Sequence, residues 1–246
     1  MPSGIIFIVT VFIIGATGGI GSALACRLVS KGIPVVLAAR DETRLKALST
    51  ELHDAPYHAL NAADFDALEK AVAASAPLSG IVNCAGSLLL KPAHLTTERE
   101  YRDTIELSLT TAFSTVRAGA KALMATGGSI VLCATAAART GFANHEAIAA
   151  AKGGVIGLTL SAAASYAARN IRVNCVAPGL VETGLTTRIT ANEAALKSSQ
   201  AMHALGRIGR PEDIASAIAW LLDSENSWVT GQTIGVDGGL GTLRPR

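Results

Sequence analysis

Apolar residues along this chain come in short solid runs, and each run is followed by a stretch where apolar positions recur every three or four residues. The first run, Ile5–Ile14, reads as a buried strand, and Ile20, Ala23, Leu24, Arg27 and Leu28 behind it step at helical spacing. The same alternation predicts strands at Ile33–Ala39, Tyr57–Leu60, Ser79–Cys84, Ser129–Cys133, Ile171–Val176 and Gln232–Val236. Helical periods cover Glu42–Leu52, Phe65–Ala74, Glu98–Met124, His145–Ala168, Asn192–His203 and Glu212–Leu222. Strands that lack polar alternation are buried on both faces. Repeated β-α units therefore predict an α/β fold: a doubly wound parallel sheet with helices on both faces, joined by right-handed crossovers. No internal repeat, low-complexity tract or linker breaks the pattern, so residues 1–246 read as one domain.

Composition narrows the function. Half of the 246 residues are hydrophobic and 16% are charged, which excludes disorder. Lys and Arg number 21 against 19 Asp and Glu, with no basic block, so neither nucleic acid nor an acidic membrane surface is an expected partner. Ile5–Ile14 lacks a basic flank and is too short to span a bilayer, so neither a signal peptide nor a membrane helix is expected there. Cys26, Cys84, Cys133 and Cys175 match no metal spacing. Each lies in or beside an apolar run, which reads as a set of reduced, buried thiols in a cytoplasmic protein. No metal cluster is evident, and His53, His58 and His94 read as loop or surface residues.

Gly15-Ala16-Thr17-Gly18-Gly19-Ile20-Gly21 joins the first strand to the first helix. Glycines at such a junction let the backbone turn tightly and bring a pyrophosphate up to the amide N–H groups of a helix N-terminus. The G-x-x-x-G-x-G spacing resembles the short-chain dehydrogenase/reductase family. Asn83-Cys84-Ala85-Gly86 resembles that family's N-N-A-G segment, with Cys84 in place of the second Asn. Ala177-Pro178-Gly179-Leu180-Val181-Glu182-Thr183 resembles the loop that meets the nicotinamide. The stretches Gly206–Asp213 and Gly231–Gly239 resemble the bacterial ketoacyl reductase-like members. The resemblance implies a Rossmann-like domain that holds a dinucleotide through Gly15, Thr17, Gly18, Gly19, Ile20 and Gly21. It extends the cofactor site to Asn83, Ala85, Gly86, Pro178, Gly179 and Thr183. It further implies a small-molecule carbonyl or alcohol substrate, and a homotetramer or homodimer formed through the two long helices and the last strand.

The second strand ends in Ala39, where an acid would accept hydrogen bonds from the ribose of NAD and repel a 2′-phosphate. Arg40 follows instead, and a guanidinium can grip a 2′-phosphate bidentately, so the expected cofactor is NADP(H). The alternative for Arg40 is a solvated side chain opening the next helix, with Asp41 as its cap. Asn61-Ala62 aligns with the family's adenine-binding Asp-Val.

The catalytic positions depart from the family. Its reductases use Tyr-x-x-x-Lys, a Ser thirteen residues before the Tyr, and an Asn on the preceding long helix. Here Lys152 matches the Lys, but Ile148 stands at the Tyr position, Thr135 at the Ser and Ser108 at the Asn. The Tyr hydroxyl is the usual proton donor, and isoleucine has no proton to give. His145, Ile148 and Lys152 are spaced for one helix face, which makes His145 one candidate acid, against the plainer role of a solvated helix-start residue. Glu146 points around the helix, and a water oriented by Thr135 and Lys152 is the further option. Two readings follow. The first is an NADP-dependent oxidoreductase with a nonstandard acid, and the second a catalytically impaired NADP(H)-binding protein acting as sensor or oligomer partner. In Gly184–Leu205, where the family's variable substrate lid sits, Arg188, Met202 and His203 read as packing or solvent-facing residues.

Overall fold

A computed structural model describes residues 10–244. Among the described residues seven parallel strands form one sheet, parallel as the alternation predicts, and their order is β3-β2-β1-β4-β5-β6-β7. They are β1 (Val11–Ile14), β2 (Val35–Ala39), β3 (Tyr57–Ala59), β4 (Gly80–Asn83), β5 (Gly128–Cys133), β6 (Ile171–Pro178) and β7 (Thr233–Val236). Residues 5–9 of the expected first strand lie outside the described residues.

Helices α1 (Gly19–Ser30), α2 (Glu42–Glu51), α3 (Phe65–Ala74), α4 (Glu98–Ile105) and α5 (Thr111–Leu123) fill the first half of the chain. The second half holds α6 (Glu146–Tyr166), α7 (Thr187–Thr190), α8 (Glu193–Met202) and α9 (Pro211–Leu222). Because successive strand residues point to opposite faces, the solid apolar strands feed two cores at once. On one face Phe12, Ile14, Ile81, Ile130 and Val173 pack with Leu68 of α3, Val116 of α5 and Val155 of α6. On the other, Val11, Ile13, Leu37, Val82 and Val131 pack with Leu24 of α1, Leu45 of α2 and Ile218 of α9. Among the described residues one helix, spanning Glu146–Arg169 with its last turn included, is long and apolar enough to cross a membrane. It belongs to the first core instead, where Val155, Ala162 and Ala163 are buried against the sheet.

Three expectations are corrected. The helix expected over Glu98–Met124 is split by a π-turn at Glu106–Thr110, where the Thr111 N–H reaches back to the Glu106 carbonyl. Cys26 is exposed rather than buried, because it occupies the outer face of α1 while Leu24, Ala25 and Leu28 take the inner one. His58, read as a loop or surface residue, lies on β3 within the predicted strand and is partly buried, with its ring stacked on Phe12 and hydrogen-bonded to the Ser75 hydroxyl at 3.1 Å.

Candidate active site

Strand order reverses between β1 and β4, and the crevice beyond the carboxyl ends of these strands is where doubly wound sheets take their ligands. Gly15 leaves β1 with φ +76°. A Cβ there would lie 2.6 Å from the Ala85 nitrogen, so the loop after β1 is pressed onto the turn after β4. Asn83 shapes that turn: its Oδ1 accepts from Ala85 N at 2.8 Å, and its Nδ2 donates to Thr115 Oγ1 at 3.0 Å. Thr115 in turn donates to the Thr111 carbonyl. Asn83 is 2% exposed with both ends of its amide satisfied, so its side chain braces the crevice instead of reaching into it.

A Cβ on Gly21 would collide with the Gly15 carbonyl, which is why α1 can start so close under the loop. Side-chain caps close α2, α3, α4 and α8 through Asp41, Asp64, Thr97 and Asn192. The N-cap of α1 is Gly18, without a side-chain bond and with no acid in the first turn. Its first amide groups and the positive end of its dipole are left for an anion. Thr183 approaches from the loop after β6, its methyl carbon 2.7 Å from where a Gly19 Cβ would stand. Arg40 is exposed just past β2, and Asp41 caps α2, as the alternative for Arg40 has it, by accepting from Arg44 N. Asn61 turns its Oδ1 onto Ala63 N beside the buried Ala62. The loop, the free helix start and the acid-free end of β2 fit NADP(H). The glycine loop and α1 would take the pyrophosphate, Arg40 the 2′-phosphate, and Asn61-Ala62 the adenine.

On the substrate side, Lys152 is 6% exposed and its Nζ donates to the Cys133 carbonyl at 2.7 Å. Gly86 makes room for it, since a Cβ there would stand 3.2 Å from Nζ. Burial pulls the Lys152 pKa below the usual lysine range. The contact with Cys133 and burial hold the Cys84 thiol well above its ordinary value, and burial pushes Cys175 up to about 12. Both therefore stay protonated at neutral pH.

Thr135, two residues beyond Cys133, accepts from Ala137 N at 3.3 Å, and among the described residues its own hydroxyl proton has no acceptor. Ser108 sits on the π-turn, 1% exposed, with its hydroxyl 3.3 Å from that of Ser87. Gly154 lets α6 close on that turn, with Leu109 2.9 Å from its would-be Cβ. Ile148 is buried at 3% exposure. His145 is the N-cap of α6, with its Nδ1 2.7 Å from the Ala143 carbonyl and its ring against Phe142. Among the described residues no hydrogen bond links it to Thr135 or Lys152.

His203 is the buried residue that the sequence pattern left undistinguished. Its Nδ1 bonds the Ser199 carbonyl at 2.6 Å and its Nε2 accepts from Leu180 N at 3.2 Å, tying the end of α8 to the Pro178-Gly179-Leu180 loop. Thr115, Ser87 and His203 carry no local motif, since each acts through a partner distant in sequence.

A doubly wound sheet with this phosphate loop and this lysine defines a dinucleotide-dependent oxidoreductase. The chain belongs to the short-chain dehydrogenase/reductase family: the family model described as Enoyl-(Acyl carrier protein) reductase matches residues 15–241. It is 34% identical over 241 residues to the 3-oxoacyl-(acyl-carrier-protein) reductase FabG of Thermotoga maritima, covering 93% of this chain and 96% of that one. It is equally 34% identical over 239 residues to a trans-4-hydroxycyclohexanecarboxylate dehydrogenase of Sinomonas cyclohexanicum, covering 92% and 90%. Among solved structures, ElxO with NADP bound superposes with a TM-score of 0.88 at 26% identity, over 96% of this chain and 100% of that one.

Proposed function

We propose that the chain is an NADP(H)-dependent oxidoreductase that interconverts a small carbonyl and its alcohol without a tyrosine acid. The observation that carries this reading is the buried Lys152 ammonium fixed on the Cys133 carbonyl, opposite Gly86. Bound NADPH supplies the hydride; the chain has to deliver a proton at the substrate oxygen. The free hydroxyl proton of Thr135 orients that oxygen. Lys152 spends one N–H on Cys133 and keeps two, and its lowered pKa makes it a better acid, acting through a water in place of the tyrosine hydroxyl. Two relatives of equal identity act, by their names, on an acyl chain and on a cyclohexane ring, so the substrate is left at the level of carbonyl or alcohol.

Rate and cofactor affinity, measured separately, test this assignment. Thr135→Val lowers kcat while NADPH affinity, read by fluorescence titration, stays unchanged. Lys152→Met weakens both. A loss of kcat at unchanged affinity in His145→Ala, with Lys152→Met still turning over, moves the acid to His145 and overturns the Lys152 assignment. The second reading, a catalytically impaired NADP(H)-binding protein acting as sensor or oligomer partner, is favoured by the protonless, buried Ile148. Tight NADPH binding with no turnover on any carbonyl would establish it.

The proposal includes a homodimer or homotetramer, supported by Phe113 at 49%, Leu160 at 56% and Trp228 at 99% exposure. The four cysteines are all free, which suits a reducing, cytoplasmic setting.

A further inference from the structure

The carboxyl ends of β4 and β5 bring two thiols side by side, next to the buried lysine. Register pairs Val82 with Val131 and Asn83 with Leu132, so Cys84 and Cys133 are the next residues along the two strands. Cys84 still belongs to the ladder, its N–H donating to the Ile14 carbonyl at 2.9 Å. Side chains alternate along a strand, and Val82 and Val131 both face the second core, so the two cysteines face it together. Neighbouring strands lie about 4.8 Å apart, inside the Cα separation of about 4.4–6.8 Å that a disulfide spans. The other two cysteines are placed differently. Cys175 is level with Leu132 and faces the first core, on the opposite side of the sheet, while Cys26 is exposed on α1.

Both backbones are fixed beforehand. Asn83 Oδ1 holds the turn after Cys84 through Ala85 N, and Lys152 Nζ holds the carbonyl of Cys133. Cys84 is half-buried and Cys133 is 9% exposed. The Cys84 thiol beside it, and after that the Lys152 ammonium, hold Cys133 below its ordinary value against the pull of burial, which makes its thiolate the more available nucleophile. We propose that Cys84 and Cys133 form a redox pair that hydrogen peroxide closes into a disulfide inside the active-site crevice. The Cys133 thiolate attacks one peroxide oxygen, the O–O bond breaks, and the hydroxide released takes up the proton that Cys133 gave off. Cys84 then attacks the sulfur of the resulting sulfenic acid, and its own proton leaves with the displaced hydroxyl as water. Two thiols and one peroxide give one disulfide and two waters, with two electrons passing from the sulfurs to oxygen. The bond ties the strand whose carbonyl holds Lys152 to the turn that carries Gly86, so the state of the pair reaches the lysine's surroundings.

The test treats the full chain with a small excess of hydrogen peroxide, then alkylates it and maps its peptides without reductant. Cys26→Ser, which removes the exposed thiol, loses two of its three remaining thiols together, and its mass falls by two hydrogens. The map joins the Cys84 peptide to the Cys133 peptide, and dithiothreitol restores both thiols. With Cys84→Ser added, oxidation stops on Cys133 as a sulfenic acid that dimedone traps. A disulfide through Cys175 overturns the proposal, and so does Cys133 carried on to a sulfinic acid while Cys84 stays free. All three thiols intact in excess peroxide overturn it as well. The same map of the unsubstituted protein looks for the same joined peptides, and it decides the matter if a variant fails to fold.

Discussion

Returning a tyrosine to position 148 asks whether this site already has an acid. Ile148 is 3% exposed, one helical turn before Lys152 on α6. The longer side chain costs about 1–3 kcal/mol of stability if its ring overpacks the core face, so melting temperature and NADPH affinity serve as controls. A positioned general acid is worth about 10²–10⁴ in rate, or roughly 3–5.5 kcal/mol of barrier. That gain is available only if nothing else supplies the proton. With Lys152 and Thr135 supplying it, the unsubstituted protein oxidises NADPH measurably with some member of a carbonyl panel. Ile148→Tyr then changes kcat by less than about tenfold, well short of the full acid contribution. The assay is steady-state NADPH absorbance, with each variant at saturating cofactor. No turnover in the parent, with a gain of about a hundredfold or more above background in a folded variant, refutes the reasoning and shows a site lacking only its acid.

Gly15→Ala places a methyl 2.6 Å from the Ala85 nitrogen at a φ of +76°, so it lowers the melting temperature and abolishes NADPH binding together. Glu100 is held down at about 2, chiefly by the Lys91 ammonium and then by Thr97. A carboxylate with a depressed pKa stabilises the fold above its unfolded value of about 4.3 and loses that contribution as pH falls towards its folded one. Glu100→Gln therefore melts lower than the parent at neutral pH, and the gap closes near the acid limit. Light scattering at micromolar protein gives a dimer or tetramer, and a stable monomer contradicts the assembly.

The order of strands and helices was legible because solid apolar runs and helical periods are local signals. The Asp41 cap on α2 was legible for the same reason. The π-turn was not: helical spacing runs through Glu106–Thr110 without a glycine or proline to mark the change. The exposure of Cys26 depends on which face of α1 meets the sheet, and Cys26 stands between apolar Ala25 and charged Arg27. Phosphate-loop residues could be named from spacing, but their braces could not. Thr115 lies 32 residues from Asn83, and Arg44 lies 27 residues from Thr17. Such pairs exist only once β1, β2 and β4 lie side by side. His145 shows the reverse error of local reasoning, since helical spacing put it on the face of Lys152 while its ring turned to Phe142 and Ala143.

The buried imidazole at position 203 pins the C-terminal end of α8 to the loop after β6. Both ring nitrogens are engaged, but Ser199 belongs to α8 itself, so swinging the C-terminal end of α8 away from the Pro178-Gly179-Leu180 loop breaks the one hydrogen bond from Leu180 N to a residue that is 2% exposed, at about 0.5–1.5 kcal/mol. The opposite edge, around Leu185 and Arg188, is exposed. The bond at His203 keeps that end of the segment with the Pro178-Gly179 loop. Replacements at the exposed edge leave that bond untouched, whereas a change at His203 removes it and leaves the Leu180 N–H without its partner.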